Sequence, residues 1–403
     1  LYATDNVYAI DSVESGMMKI QDIGVALIGA GFMSAVHTEA LRRVGVNLIG
    51  ILGSTPEKSR VAANRLSLPV AYETLEQLCN DQRVHAVHVN TPNRWHLPQA
   101  SAALNAGKHV MNEKPLAMDV HESAQLVALA TANPHLATGV NYNNRYYALC
   151  REAREHVRTG KVGRLFHVTG SVAQDWLLYD TDYNWRTLTA EQGELRALAD
   201  IGSHWLDLVH FITGLEVESL CADFTTVHPV RKRPLGEVET FSGKSSDEKL
   251  TETEDIPITT DDYGCVLIRF AGGARGVVWV SQVSPGRKYR VGFEIAGQNK
   301  TLNWNSEECE RLWIGRRDGP NELLLRDPSL LSEFALGSTD YPGGHSEGYP
   351  DSFKMCFRSF YEYIAANDFT APPTYPTFVD GHRDILLCEA MVKSYQTGGW
   401  VSI

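Results

Sequence analysis

None of the seven cysteines (Cys79, Cys150, Cys221, Cys265, Cys309, Cys356 and Cys388) stands in a Cys-x-x-Cys pair. An odd, scattered set offers no disulfide framework, so reduced thiols in a cytoplasmic protein are expected. No apolar stretch approaches the roughly 18 residues of a membrane span, which removes a membrane partner. The opening LYATDNVYAIDSVESGMMK is mixed and acidic. It lacks a signal-peptide core, and residues 1–20 read as an N-terminal extension. Basic residues are in deficit. The formal charge of −12 argues against nucleic acid as the main partner. The nearest thing to a basic patch, Arg231-Lys232-Arg233, reads as a solvated loop. Asp200, His204 and His210 could be metal ligands, but no compact spacing completes a site, so no metal is expected.

What remains is a chain of 403 residues, long enough for two domains with separate cores. Residues 23–28, IGVALI, form a short apolar, β-branched run. Gly29-Ala30-Gly31-Phe32-Met33-Ser34 follows at once. Val36, Ala40, Leu41 and Val44 then fall on one helical face. In this strand–turn–helix, Gly29 allows the tight turn. Gly31 lets a pyrophosphate approach the backbone at the helix N-terminus, where free N–H groups and the dipole favour anions. Ser34 stands where the fingerprint has its third glycine, and is small enough for close helix–strand packing.

The alternation continues through VNLIGIL (46–52), VHAVHVN (84–90), KHVMN (108–112) and LATGVNY (136–142), with helices between. The last is taken as the sixth strand of a parallel, doubly wound sheet. Ligands gather at the carboxyl ends of such strands. Three marked stretches lie there: GAGFMS, NTPNRWH and NEKP. Their candidate dinucleotide contacts are Gly29, Gly31, Phe32, Met33, Asn90, Thr91, Pro92, Asn93, His96, Glu113 and Lys114.

Cofactor choice turns on the end of the second strand, where NAD-specific sites usually carry Asp or Glu. Here Gly53 stands at that point. Ser54, Thr55 and Lys58 could hold a 2′-phosphate, which favours NADP over NAD. The other reading is an N-cap (Thr55) with Pro56 at the first helical position and Glu57 serving NAD.

In ADIGSHWLDLVHFIT (199–213), Asp200 and His204 are four apart and share a helix face. A carboxylate one turn away can orient an imidazole and hold up its basicity. Spacing alone favours the plainer reading, a helix with exposed polar residues or a satisfied core histidine. Trp205, Leu208, Val209 and Ile212 make the apolar stripe. Asp207 and His210 could face solvent. After residue 215 the helical alternation stops. Residues 217–225, 263–270, 275–283, 288–296, 300–305 and 310–315 read as strands, with turns at Gly272-Gly273 and Pro285-Gly286. Residues 230–260 are polar and poorly periodic, and resemble a long loop or insertion.

Taken in order, GAGFMS with His37, TPNRWH (91–96), NEKPLAM (112–118) and DIGSHWLDL (200–208) resemble the Gfo/Idh/MocA family of oxidoreductases. The resemblance extends to Trp185-Arg186, PGGHSEGY (342–349) and DGHRDILLCEAMVKS (380–394). It implies an α/β Rossmann domain over 21–145. An α+β domain over 146–403 follows, with a large, mostly antiparallel open sheet for substrate binding and oligomerisation. A C-terminal helix near 378–396 would pack back on the first domain. In relatives the open sheet meets another subunit's, which implies a homodimer or homotetramer.

The resemblance also implies chemistry: hydride transfer between NADP or NAD and a secondary alcohol or ketone of a sugar, polyol or sugar derivative. Lys114 would hold the substrate oxygen and favour its developing alkoxide, aimed by the turn at Pro115. His204 would be the acid/base, and Asp200 would orient it or relay its proton. Without the resemblance, Lys114 reads as a snorkelling strand-end lysine. Polyhydroxylated ligands are read by Asn, Arg, Tyr and Trp. The candidates are Asn141, Tyr142 and Arg145, then Trp176, Tyr179, Tyr183, Asn184, Trp185 and Arg186, with His345 and Tyr349 more distant. Two other functions stay open: an NAD-dependent enzyme that cleaves glycosides by transient oxidation, and a dinucleotide-binding regulator without activity. The intact set of Lys114, Asp200 and His204 speaks against the regulator.

Overall fold

The computed structural model describes residues 18–235 and 252–403. Most of the expected N-terminal extension, and the middle of the polar 230–260 segment, lie outside the described residues. Six strands form the first sheet: β1 (Gly24–Ile28), β2 (Asn47–Leu52), β3 (Val70–Tyr72), β4 (Ala86–Val89), β5 (His109–Asn112) and β6 (Thr138–Val140). Their order is β3-β2-β1-β4-β5-β6, and every pairing is parallel. β3 is the strand that the sequence segments do not include. It has three residues, too few for a period to declare itself.

Strand alternation divides the buried residues between two layers. Val25 and Leu27 join Leu41 of α1 (Phe32–Val44) and Ala62 of α2 (Pro56–Arg65). Ala26 and Ile28 join Leu78 of α3 (Leu75–Asn80), Leu104 of α4 (His96–Asn105) and Leu126 of α5 (Val120–Ala132). This two-sided cover is why the strands read as continuous apolar runs.

After α6 (Ala148–Arg158) come β7 (Leu165–Ala173), a short α7 (Thr189–Gln192) and α8 (Ser203–Thr213). β8 (Val217–Thr225), β9 (Val230–Pro234), β10 (Thr253–Pro257), β11 (Tyr263–Phe270), β12 (Arg275–Ser281) and β13 (Arg290–Gly297) follow. Then come β14 (Thr301–Asn305), β15 (Arg311–Gly315), β16 (Glu322–Leu325), a one-turn α9 (Glu333–Leu336), α10 (Tyr349–Ala366), α11 (Phe378–Thr397) and β17 (Val401–Ser402).

The second sheet has nine strands in the order β16-β15-β14-β13-β7-β12-β11-β8-β17, antiparallel except where β7 meets β12. β7 lies at its centre, although the sequence signals begin the sheet only after residue 215. Its core face carries Gly170, where a Cβ would run into the Trp205 ring. A strand that makes room for an indole loses its apolar alternation. Leu149, Trp205 and Met391, from α6, α8 and α11, cover this face. The opposite face exposes Leu267, Trp279, Trp313, Leu323 and Leu325.

Two expectations fail here. Asp207 does not face solvent. It is fully buried and ion-paired with Arg145, because α8 is covered on nearly every side. Nor is Arg231 a solvated loop residue. β9 and β10 form an antiparallel ribbon in place of a loop, and Arg231 is buried, paired with Asp262 at 2.7 Å and donating to the carbonyls of Leu177, Tyr179 and Asp182. A buried guanidinium needs such partners. Lys232 and Arg233 pair with Asp255 and Glu254 on the ribbon's other strand.

The chain returns to the first sheet at its end. Phe353, Phe357 and Phe360 of α10 share a core with β1 and α1. At α11, Ser123 Oγ lies 2.9 Å from His382 Nδ1, and Glu389 accepts from the Val120 N–H. All seven cysteines are unpaired. Among the described residues, no helix is long and apolar enough to cross a membrane, and no group of three His, Cys, Asp or Glu is placed to hold a metal.

Candidate active site

The glycine turn forms as its residues require. Gly29 has φ +109°, and a Cβ there would lie 2.5 Å from the Asn90 carbonyl oxygen. Ser34 donates from Oγ to Gly29 O at 2.7 Å, which closes the turn without a third glycine. Gly31 is the N-cap of α1 and caps no N–H with a side chain, and a Cβ on it would meet nothing within 4 Å. No side chain caps this 13-residue helix, and its N-terminal dipole favours an anion at the turn. Asn90 Oδ1 is buried beside this turn without a partner.

The carboxyl ends of β5 and β6 and the wide turn before α8 enclose a cleft of about 560 Å³. Phe32 and Met33 line it, with Tyr349 and Phe353 from α10. Lys114 enters it, donating from Nζ to the main-chain oxygen of Asp200 and to Asp200 Oδ1, both at 2.7 Å. Asp200 lies in a π-helical turn, Leu198–Gly202, where the regular ladder is interrupted. Gln282 donates to its Oδ2 at 3.2 Å, and Arg186 lies 3.6 Å from Oδ1. Burial pushes the Asp200 carboxyl up, but Lys114 and Arg186 outweigh it and hold it down at about 2.

His204 lines the same cleft. Its Nδ1 is buried without a partner, and the Tyr142 ring stands edge-on at 5.8 Å. Asp200 makes no hydrogen bond to it, so the expected orienting contact is replaced: the carboxylate holds the lysine. Helical spacing puts Asp200 and His204 on one face but cannot weigh a partner 86 residues away. Burial and the neighbouring Lys114 charge pull His204 down to about 3, so the imidazole is neutral around pH 7.

Glu113, Asn141 and Arg186 also line the cleft. Tyr142 and Arg145 do not, a correction to the substrate candidates. Tyr142 packs in the first domain's core. Arg145 is locked by Asp207 and by Asp380 at 2.8 Å, a buried cation held between two carboxylates. Trp176, Tyr183 and Trp185 stand off the cleft. Trp176 donates to Gln174 Oε1 at 3.0 Å, and Arg186 stacks over Trp185 at 4.3 Å. Asn184 caps the turn that carries Arg186, Tyr179 is exposed, and His345 lies on an exposed loop.

Two dinucleotide candidates are structural. Asn93 is buried and donates to the Gln192 carbonyl, and His96 is buried between the carbonyls of Thr91 and Pro115. They shape the turn without facing the cleft. Thr91 donates to Gln99 Oε1 at 2.6 Å, and Pro92 starts the short turn before α4. At the β2 end, Thr55 caps α2 by accepting from the Lys58 N–H. Ser54 is exposed, and Glu57 pairs with Arg60 at 2.6 Å. A Cβ on Gly53 would lie 2.8 Å from Ser59 N, so packing demands this glycine whatever the cofactor.

Gln174, Gln282 and Tyr289 escape the sequence motifs. Gln174 and Tyr289 line the cleft, Tyr289 accepting from Asn144 Nδ2 at 3.2 Å and standing 5.6 Å from the Tyr349 ring. These residues lie at strand ends in a sheet whose order the sequence does not state, and no local pattern marks them.

Residues 23–142 match the oxidoreductase family with an NAD-binding Rossmann fold, and residues 150–303 match the GFO/IDH/MocA C-terminal domain. Levoglucosan dehydrogenase of Pseudarthrobacter phenanthrenivorans is 27% identical over 402 residues, 95% of this chain and 99% of that one. Inositol 2-dehydrogenase of Salmonella typhimurium is 22% identical, over 92% and 94% of the two chains. A solved levoglucosan dehydrogenase in complex with NADH and levoglucosan superposes with a TM-score of 0.83 at 26% identity, covering 95% of this chain and 99% of that one. An inositol dehydrogenase homologue from Azotobacter vinelandii, complexed with NADH and myo-inositol, gives 0.81 at 25%, covering 95% and 98%.

Proposed function

Because this chain belongs to the Gfo/Idh/MocA family of oxidoreductases, we propose that its cleft oxidises a secondary alcohol of a sugar or polyol, with Lys114 and His204 at the reacting oxygen. The chain is a nicotinamide-dependent sugar or polyol dehydrogenase. The nicotinamide, when bound, accepts the hydride from the substrate carbon. The glycine turn fits its pyrophosphate, since a helix N-terminus without a side-chain cap and the clear space at Gly31 meet the same point. Lys114 holds the substrate hydroxyl and stabilises negative charge on its oxygen. His204, neutral at pH 7, removes the hydroxyl proton. Asp200 fixes the Lys114 ammonium through two oxygens of one residue. Asn141, Gln174, Arg186 and Tyr289 are the hydrogen-bonding groups for the remaining hydroxyls.

The observation that carries this reading is the Lys114–Asp200 pair beside a neutral imidazole in one cleft. An absorbance screen of sugars and polyols near 340 nm, roughly the reduced nicotinamide band, tests it with either cofactor. Hydrolysis of a glycoside without net cofactor reduction would overturn it.

NAD(H) is the cofactor class. We propose further that NADP is accepted and preferred. No carboxylate lies among residues 53–56, and Glu57 is occupied by Arg60. Gly53 cannot be used as the probe, because a Cβ there displaces α2. Ser54 is exposed, and Ser54→Asp puts a negative charge at the strand end. It should weaken NADP binding roughly tenfold relative to NAD. An unchanged ratio in a binding titration removes Ser54 from the ribose pocket.

We also propose that two copies meet through the open face of the nine-stranded sheet. Leu267, Trp279 and Trp313 lie exposed there together. Leu267→Lys should move the protein toward monomer in sedimentation velocity. A wild-type chain already monomeric at micromolar concentration would end this proposal.

A further inference from the structure

Behind Lys114 lies a buried chain of polar groups that the hydride-transfer scheme does not use. Tyr361 OH is 2.7 Å from His88 Nε2, His88 Nδ1 is 2.8 Å from His37 Nδ1, and His37 Nε2 is 2.9 Å from Glu113 Oε1. All four residues are buried, and the aromatic rings of Phe353 and Phe357 pack on the imidazoles. Asn141 donates to Glu113 Oε1 at 2.6 Å, and the Lys114 main-chain N–H donates to Oε2 at 3.2 Å. Glu113 lines the cleft.

One arrangement of protons satisfies every atom in this chain. Tyr361 O–H donates to His88 Nε2, His88 Nδ1–H donates to His37 Nδ1, and His37 Nε2–H donates to Glu113. Both imidazoles are then neutral, each nitrogen makes one bond along the relay (His37 Nε2 also lies 3.3 Å from Asn141 Nδ2), and every relay donor points toward the carboxylate. A cationic His37 would reverse the middle bond. The Tyr361 hydroxyl proton would then lose its acceptor, since His88 is its one hydrogen-bond partner among the described residues. The relay therefore ends on a carboxylate that no hydrogen-bonded cation neutralises. The Lys114 ammonium favours that charge through space, but its hydrogen bonds go to Asp200, at 2.7 Å.

Resting on the dehydrogenase reading above, we infer that Glu113 is a fixed negative charge, supported by the relay Tyr361–His88–His37, that makes the cleft favour the oxidised, cationic nicotinamide ring over the reduced, neutral one. Glu113 acts on the cofactor directly, and His37, His88 and Tyr361 are positioning residues. Burial pushes the Glu113 carboxyl up, but the hydrogen bond from His37, the Lys114 charge and the hydrogen bond from Asn141 outweigh it and hold it down at about 2. An ionised side chain in a low-dielectric cleft discriminates between two ligands that differ by one charge.

The test measures dissociation constants of the full chain for NADH, by its fluorescence, and for NAD⁺, by competition. In Glu113→Gln the ratio of the NAD⁺ to the NADH constant should rise roughly tenfold or more. Tyr361→Phe removes the first donor of the relay and should move the ratio the same way, by roughly two- to threefold. A ratio unchanged in both variants overturns the inference. If Glu113→Gln does not fold, Tyr361→Phe decides alone: a shift supports the relay, and an unchanged ratio overturns it. A general loss of packing would weaken both forms together and leave the ratio still. A wild-type chain that binds neither NAD(H) nor NADP(H) overturns the dehydrogenase reading, a result distinct from an unchanged ratio.

Discussion

Replacing Lys114 by methionine is expected to cut turnover by a factor of order 10²–10³ while the protein still binds its dinucleotide. Methionine keeps most of the buried stem and removes only the ammonium. Two losses follow. The substrate oxygen loses the cation that stabilises developing negative charge, and Asp200 loses the donor to its Oδ1 and its main-chain oxygen. The second loss also touches stability. A buried carboxylate stripped of its partner costs up to roughly 3 kcal/mol, near the lower end of the range because Arg186 and Gln282 remain within reach. Initial rates, cofactor titration and thermal melting on one preparation separate these effects. A folded variant with near-normal turnover returns Lys114 to the role of a snorkelling strand-end lysine.

His204→Asn is expected to lower the alcohol oxidation rate by roughly 10²–10⁴, with dinucleotide binding little changed. Asparagine keeps some hydrogen bonding and cannot take a proton at neutral pH. The pH profile carries the finer test. An unperturbed imidazole would place the acid limb of oxidation near pH ~6.5, which is what the sequence alone suggests. Burial and the Lys114 charge hold His204 at about 3, so the base form persists through mildly acid pH and no break should appear near 6.5. The sign for stability is the same. Below pH 6.5 the unfolded chain takes up a proton that folded His204 refuses, so this group's contribution to stability falls as pH drops from 6.5 toward about 3. Parent-rate oxidation by the asparagine variant would move the base elsewhere. Tyr289 would then be the next group to test, because it lines the cleft whereas Tyr183 does not.

Lys114 and His204 are both legible in the sequence, for different reasons. His204 follows Asp200 by four residues on a segment whose apolar stripe declares a helix. Lys114 has no such local signature; only the ordered set of motifs singles it out. Asn141 and Arg186 lie on the cleft as expected, but Tyr142 and Arg145, read from the same stretch as Asn141, turn inward. Asn143–Tyr146 is a short 3₁₀ turn, so neighbours in sequence point in different directions.

The dinucleotide-binding half is written locally in the amino-acid order. Its signals are an apolar strand, Gly29 at positive φ, an uncapped helix start, and Thr55 with Pro56 opening the next helix. Each concerns residues within one turn of one another, where backbone sterics and hydrogen bonding settle the outcome alone. Which charges meet is a matter of tertiary structure. Lys114 finds Asp200 across 86 residues, His37 finds His88 across 51, and His88 finds Tyr361 across 273. The same long-range packing buries Arg231 and Asp207 and turns Gln174 and Tyr289 into the cleft. A buried charge is stable only beside its partner, and the partner comes from a distant element. Strand order and helix docking, which no single window of sequence encodes, therefore fix the protonation states on which the chemistry depends.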